Sequence, residues 1–317
     1  MNAPVVVCRQ VVKQYGAQKA LDGLNMEVPQ GAIFGLLGPN GAGKSTAFGV
    51  MCGWLQATSG ETEVLGTPSR ELWRVAGRVS ALPQDASFPP QLTIREQLAM
   101  YARAAGMTAT IALQEADRTL ALVGLQDAGH KRGSQLSHGM HKRAGLAQAL
   151  LGRPEVIFLD EPTSGLDPVT ARAVKDLIAS LKSHATLIVS SHNLSEVQEI
   201  CSHGAILDHG RLVAYGTIAD LTRQGAEVSI QVRTLSEVTL KALQNRFGAQ
   251  NVVADSARTS LRIRFESTHD PATINRDALR ILLDSNTPVL GLSAGTSLER
   301  AFIDLTKATT VGATAAR

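Results

Sequence analysis

Short apolar runs, punctuated by glycine, proline and polar turn residues, cover most of the chain. Val5-Val6-Val7 and Val11-Val12 predict early strands of a small antiparallel piece, with Tyr15-Gly16 in the turn that follows. Ala32-Ile33-Phe34-Gly35-Leu36-Leu37 is a continuous apolar block, and Ala47 to Cys52 beyond it reads as a helix. Glu61 to Leu65 and Val79 to Leu82 predict further strands, the second ending at Pro83-Gln84-Asp85. From Thr93 to Gly124 the period turns helical, with Ile94, Leu98, Tyr101 and Ala102 on one face and Thr93 with Glu96 as a capping box. After this helical insertion, Gln135 to Arg143 opens a helix over Ala144 to Leu151, which Pro154 ends. Val156-Ile157-Phe158-Leu159 is a strand buried on both faces, running straight into Asp160-Glu161-Pro162. A turn at Ser164 to Pro168, a helix over 169–183, a strand from Thr186 to Ser191 and a hairpin from Ala205 to Tyr215 follow. Strands alternating with helices predict an α/β domain with a mainly parallel sheet.

Beyond about Gln224 the pattern changes to strand, helix, strand pair, helix, strand: Glu227–Thr234, Ser236–Phe247, Asn251–Ala254 with Ser260–Phe265, Ile274–Leu283 and Thr287–Leu292. That βαββαβ order is the ferredoxin-like pattern, a small α+β domain. The predicted organisation is a nucleotide-binding domain over 1–225, with its helical part at 86–152, and an accessory domain over 226–307. A final helix over Ser297–Thr306 precedes a small-residue tail, 308–317, expected to be disordered.

The candidate chemistry begins at Gly38-Pro39-Asn40-Gly41-Ala42-Gly43-Lys44-Ser45-Thr46, a full match to G-x-x-x-x-G-K-[ST] in the strand–loop–helix context that the pattern requires. Glycines let successive N–H groups turn inward to hold phosphate oxygens, and the helix start adds partial positive charge. In such a P-loop Lys44 reaches the β- and γ-phosphates and the Ser45 hydroxyl ligates Mg²⁺. Asp160, at the C-terminal edge of a buried strand, is expected in the Mg²⁺ sphere through water, and Glu161 at a water in line with the γ-phosphate. Tyr15 is an aromatic able to stack on a purine, although a lone tyrosine in a turn is more often simply packed.

Composition narrows the field further. The chain has 317 residues, 44% of them hydrophobic, and a formal net charge of +3, which argues neither for nor against nucleic acid. No apolar run approaches a membrane span, and the N-terminus lacks the pattern of a signal peptide, so the product is expected in the cytoplasm unless a partner holds it at a membrane. The three cysteines, Cys8, Cys52 and Cys201, match no metal or redox spacing and are expected to be reduced interior thiols.

Taken as an ordered set, the motifs resemble the ATP-binding cassette (ABC) ATPases over roughly the first 220 residues. The set comprises Gly38 to Thr46, Gln84 at a strand end, Leu136-Ser137-His138-Gly139-Met140, Asp160-Glu161, Ser164 to Asp167, and His192. The resemblance implies a P-loop NTPase fold with an antiparallel β subdomain and a helical insertion, and ATP and Mg²⁺ as cofactors. It implies that Tyr15 stacks on adenine and that Gln84 touches Mg²⁺ or the attacking water. Asp167 links two subunits, and His192 holds the γ-phosphate, the water and Glu161 in line. Ser137 and Gly139 meet the nucleotide of a second cassette, in a homodimer rather than a heterodimer. His138 and Met140 depart from the usual Leu-Ser-Gly-Gly-Gln, and the His138 ring is expected to point outward. The Ser-x-Gly-Met form, and the segment 297–306, look like exporter subunits that pair with a separate multi-spanning permease at the cytoplasmic face of the membrane. A soluble ABC ATPase of DNA repair or translation and a compound-binding resistance protein are the alternatives. No nucleic-acid partner is expected.

Overall fold

Two twelve-residue strands open the chain, β1 (Pro4–Tyr15) and β2 (Gln18–Pro29), paired antiparallel. The computed structural model describes residues 3–223, 226–265 and 270–294. β1 is one strand where two short ones are expected. Its register shifts between Cys8 and Val11, where Gln10 takes a φ of 49°, so a bulge absorbs the polar interruption without ending the strand. β3 (Ile33–Leu37) and α1 (Lys44–Met51) flank the glycine loop, and β4 (Ser59–Val64) and β5 (Thr67–Pro68) complete a four-stranded sheet in the order β2-β1-β4-β5.

β6 (Val79–Leu82) leads to the helical part. There α2 (Ile94–Ala104) carries the Thr93–Glu96 capping box, and α3 (Ala109–Leu122) is a separate helix capped by Thr108. α4 (His138–Ala149) begins at His138, six residues before the Ala144 of the sequence pattern, because the Ser137 hydroxyl accepts the Met140 N–H and caps it there. β7 (Val156–Asp160), α5 (Pro168–Ser180), β8 (Thr186–Ser191), α6 (Leu194–Ile200), β9 (His203–Asp208) and β10 (Arg211–Thr217) follow. A six-stranded sheet results, ordered β10-β9-β3-β8-β7-β6.

β9, β3, β8, β7 and β6 of that sheet run parallel to one another, and both faces of the sheet are covered. Along β7, Ile157 and Leu159 join the core under α2–α5, while Val156 and Phe158 join the core under α1 and the antiparallel sheet. Alternation of the side chains therefore reads as a continuous apolar run. Phe48 of α1 meets Phe158 edge to face at 5.7 Å, fixing the loop helix onto β7.

Gly35, mid-strand in β3, admits α6 to the sheet: a Cβ there would lie 2.3 Å from Val197 Cγ1. Gly35→Ala is expected to cost about 1–3 kcal/mol as an overpacked core site. The check is a urea unfolding curve with a lowered midpoint and unchanged slope. An unmoved midpoint would mean that α6 gives way freely.

The chain divides into two compact units, Met1–Gly216 and Thr217–Arg317, whereas the sequence places the change of style near 225. The second unit holds α7 (Ile218–Arg223), β11 (Ala226–Val232), α8 (Glu237–Phe247), β12 (Val252–Ala254), β13 (Ser260–Phe265), α9 (Pro271–Asp284) and β14 (Val289–Ala294). Its antiparallel sheet is ordered β12-β13-β11-β14 over a core of Val228, Ile230, Leu243, Leu261, Ile263 and Leu282. The expected helix 297–306 and tail 308–317 lie outside the described residues. Among the described residues no helix is long and apolar enough to cross a membrane. Cys8, Cys52 and Cys201 are free thiols, each pushed up to about 12 by burial.

Candidate nucleotide site

Parallel strands place their C-terminal ends along one edge of a sheet. Here that edge carries, from neighbouring strands, the glycine loop after β3, His192 after β8, Asp160-Glu161 at β7 and Gln84 after β6. The residues are scattered over more than 150 positions of sequence, and the strand order gathers them.

The loop is shaped by its glycines. Gly38 has a φ of 153°, and a Cβ there would come within 2.3 Å of the Leu207 carbonyl. Gly43 caps α1 in the left-handed region at φ 103°, and a Cβ would meet the Ala20 carbonyl at 2.5 Å. Lys44, 7% exposed, folds back so that Nζ donates to the carbonyls of Gly38 at 2.7 Å and Pro39 at 3.1 Å, and stands 3.8 Å from Glu161 Oε1. Burial pulls the Lys44 pKa below its usual 10.5, and the carboxylates of Glu161 and Asp160 oppose that pull.

Asp160 and Glu161 are both buried, at 8% and 6% exposure. Glu161 takes φ 49°, which turns its side chain away from the direction of the strand. Its N–H donates to Ser190 Oγ at 2.9 Å, and the Ser190 hydroxyl donates to Asp160 Oδ1. Glu161 Oε2 lies 2.8 Å from His192 Nδ1. A carboxylate can only accept, so Nδ1 carries the hydrogen, and a second hydrogen on Nε2 would let the ring donate onward as well. Thr163 Oγ1 donates to Glu196 Oε2 at 2.8 Å, tying the following turn to α6.

A cavity of about 510 Å³ opens over these groups. Asn40, Gly41, Gly43, Lys44, Ser45 and Thr46 line it together with Gln84, Glu161, Ser164 and His192. Gln18, Lys19, Ala20 and His209 complete the lining. The structure thus brings together most of the expected residues. Gly38 and Pro39 act through carbonyls bonded to Lys44, while Ala42 and Asp160 are buried and do not line the cavity. Tyr15 is not among the lining residues; its ring is half exposed, with Lys13 Nζ 5.0 Å from the centroid.

Ser137, Gly139 and Asp167 stand apart from the cavity of their own chain. Ser137 and Asp167 are N-caps of α4 and α5. Asp167 accepts from the Val169 and Thr170 N–H groups and from the Thr170 hydroxyl. The Thr170 hydroxyl contributes most to holding its carboxyl below the usual 3.8, followed by the Thr170 N–H. A Cβ on Gly139 would be 3.0 Å from Thr170 Cγ2, so the two helix starts touch. The exposed His138 ring lies over Gly165 rather than straight out into solvent: a Cβ there would be 2.9 Å from Nε2. Lys142 Nζ donates to the Gln84 carbonyl at 2.8 Å, joining α4 to the segment after β6.

Sequence patterns point to neither Gln18, Lys19 nor His209, which reach the cavity from the start of β2 and from the β9–β10 turn. Ser190 has no signal either; it is one serine among several until its register against Asp160 is known.

Comparison with known proteins agrees with this geometry. Residues 21–164 match the family described as ABC transporter. The bacitracin transport ATP-binding protein BcrA of Bacillus licheniformis is 38% identical over 215 residues, 66% of this chain and 68% of that one. The daunorubicin/doxorubicin resistance ATP-binding protein DrrA of Streptomyces peucetius is 32% identical over 301 residues, 93% of this chain and 90% of that one. A dimeric ATP-binding cassette in a post-hydrolysis state with ADP and Pi superposes with a TM-score of 0.62 at 23% identity, over 67% of this chain and 98% of that one. With the phosphate loop, the paired carboxylates and His192 on one sheet edge, these likenesses make the chain a member of the ABC transporter ATP-binding proteins, and an ATPase.

Proposed function

We propose that the chain drives an exporter, binding and hydrolysing ATP in a closed dimer of cassettes that moves a separate multi-spanning permease at the cytoplasmic face of the membrane. The observation that carries the reading is the Lys44–Glu161–His192 cluster around the cavity. The export side rests on relatives named for bacitracin transport and daunorubicin resistance.

In this reading the inward N–H groups of the loop and Lys44 hold the β- and γ-phosphates. Glu161 takes a proton from a water whose oxygen bonds to the γ-phosphorus, while the bond to the β–γ bridging oxygen breaks and ADP leaves with that oxygen. His192 keeps Glu161 aimed and donates to a γ-phosphate oxygen. Ser45, Gln84 and Asp160 offer a hydroxyl, an amide and a carboxylate, all oxygen donors and so a set that fits a hard cation. When bound, Mg²⁺ neutralises the β- and γ-phosphate charge. Tyr15 is assigned to the adenine.

Ser137 and Gly139 are assigned to the γ-phosphate of a second copy, and Asp167 to the seam between copies. Their standing apart from the cavity of their own chain supports this, since a head-to-tail dimer would bring each helix start to the other cavity. ATP then favours the closed state by contacts that only that state makes. The second unit is assigned as a ferredoxin-like packing module, supported by its βαββαβ order and its strand order β12-β13-β11-β14.

The test is detergent extraction of host membranes carrying the tagged protein with ATP present, followed by mass spectrometry. A multi-spanning protein recovered in near-equal amount is expected. Recovery of ribosomes or repair factors instead would overturn the reading.

A further inference from the structure

Ser190 is fully buried at the end of β8, opposite Asp160 of β7 in the parallel register. A serine hydroxyl has one hydrogen to give and two lone pairs to receive with. Here the hydrogen goes to Asp160 Oδ1, and a lone pair takes the Glu161 N–H at 2.9 Å. One small group thus spans two adjacent residues with different assignments, the carboxylate on the metal side and the carboxylate on the water side.

Glu161 needs such a hold. It is a non-glycine residue at φ 49°, a conformation that persists only where its surroundings fix it. Lys44 and His192 meet Glu161 at its carboxylate, whereas Ser190 meets it at the backbone. The turn beyond is braced separately by Thr163 and Glu196, so removing the Ser190 hydroxyl loosens Glu161 without releasing the whole segment.

We infer that Ser190 is a positioning residue for hydrolysis: its hydroxyl locks the turned backbone of Glu161 to Asp160 and so aims the Glu161 carboxylate at the attacking water. This rests on Glu161 being the base. An alanine at 190 leaves a buried N–H and a buried carboxylate oxygen unpaired, and the backbone at 161 then relaxes. A shift of about 1 Å in a reacting group costs up to about a hundredfold in rate.

The experiment uses the full chain as wild type, Ser190→Ala, Ser190→Thr and Glu161→Gln. It measures kcat and KM for ATP, binding of a fluorescent ATP analogue, and thermal melting. Ser190→Ala should lower kcat by about ten- to a hundredfold while KM and analogue affinity stay within about twofold and the variant still melts cooperatively, a few degrees below wild type. Ser190→Thr keeps the hydroxyl and should recover most of the rate; should the added methyl prevent folding, the split between kcat and affinity in Ser190→Ala decides alone. Wild-type kcat in Ser190→Ala beside an inactive Glu161→Gln sinks the Ser190 assignment only. Joint loss of rate, analogue binding and cooperative melting in Ser190→Ala also sinks it, because the hydroxyl would then be structural. Normal turnover by Glu161→Gln removes the base and the inference with it.

Discussion

Glu161→Gln should lower ATP turnover by about a hundred- to a thousandfold while leaving ATP binding intact. Glutamine has the same shape and can still accept from His192 Nδ1, which lies 2.8 Å from Oε2 in the native pair. What it loses is the capacity to take the water proton. It also removes a buried negative charge from the cavity where the γ-phosphate is placed, so affinity for ATP should hold or rise. ATP bound but not cleaved would keep two cassettes shut, and the variant should elute as a dimer with ATP and as a monomer without it. The measurements are phosphate release and gel filtration on the same preparation. Turnover at the native rate would show that the base lies elsewhere.

Lys44→Ala is expected to have the largest effect on binding itself, weakening a fluorescent ATP analogue by about thirty- to a thousandfold, on the order of 2–4 kcal/mol for lost charge-assisted bonds. The native ammonium already bridges the Gly38 and Pro39 carbonyls and faces Glu161 at 3.8 Å. Truncation therefore removes both the cation for the phosphates and the partner of a carboxylate that is 6% exposed. Some loss of melting temperature should accompany the loss of binding, because an unpaired buried charge is costly. Unchanged analogue affinity would rule out this loop as the phosphate cradle.

Much of this site can be read before any coordinates, for a physical reason. β3, β7 and β8 are buried on both faces, so β3 and β7 up to Leu159 appear as unbroken apolar runs and β8 carries Leu187-Ile188-Val189 at its centre, and the polar groups at their ends stand out against them. Gly38 to Lys44 is legible because strained backbone angles leave few residue choices. β2 escapes notice because Asp22, Gly23 and Asn25 interrupt it on the exposed side. α6 and α7 are seven and six residues long, too short for a period to show. The start of α4 is set by the cap at Ser137, which outweighs the weak helix preference of His138-Gly139. Gln18, Lys19, His209 and Ser190 owe their place to topology, which local pattern does not encode.

The central position of β3 also sets a schedule for synthesis. Both of its neighbours come late in the chain, β8 at residue 186 and β9 at residue 203. A ribosome adding about 5–20 residues per second leaves the glycine loop attached to an unpaired, wholly apolar strand for roughly ten to thirty seconds. Such a strand is a target for chaperones and for misplaced pairing throughout that interval. A polypeptide arrested before β9 carries the complete phosphate motif yet lacks the Leu207 carbonyl against which Gly38 is fitted. Nucleotide affinity should therefore emerge late in translation, as a property of the closed sheet rather than of the motif that advertises it.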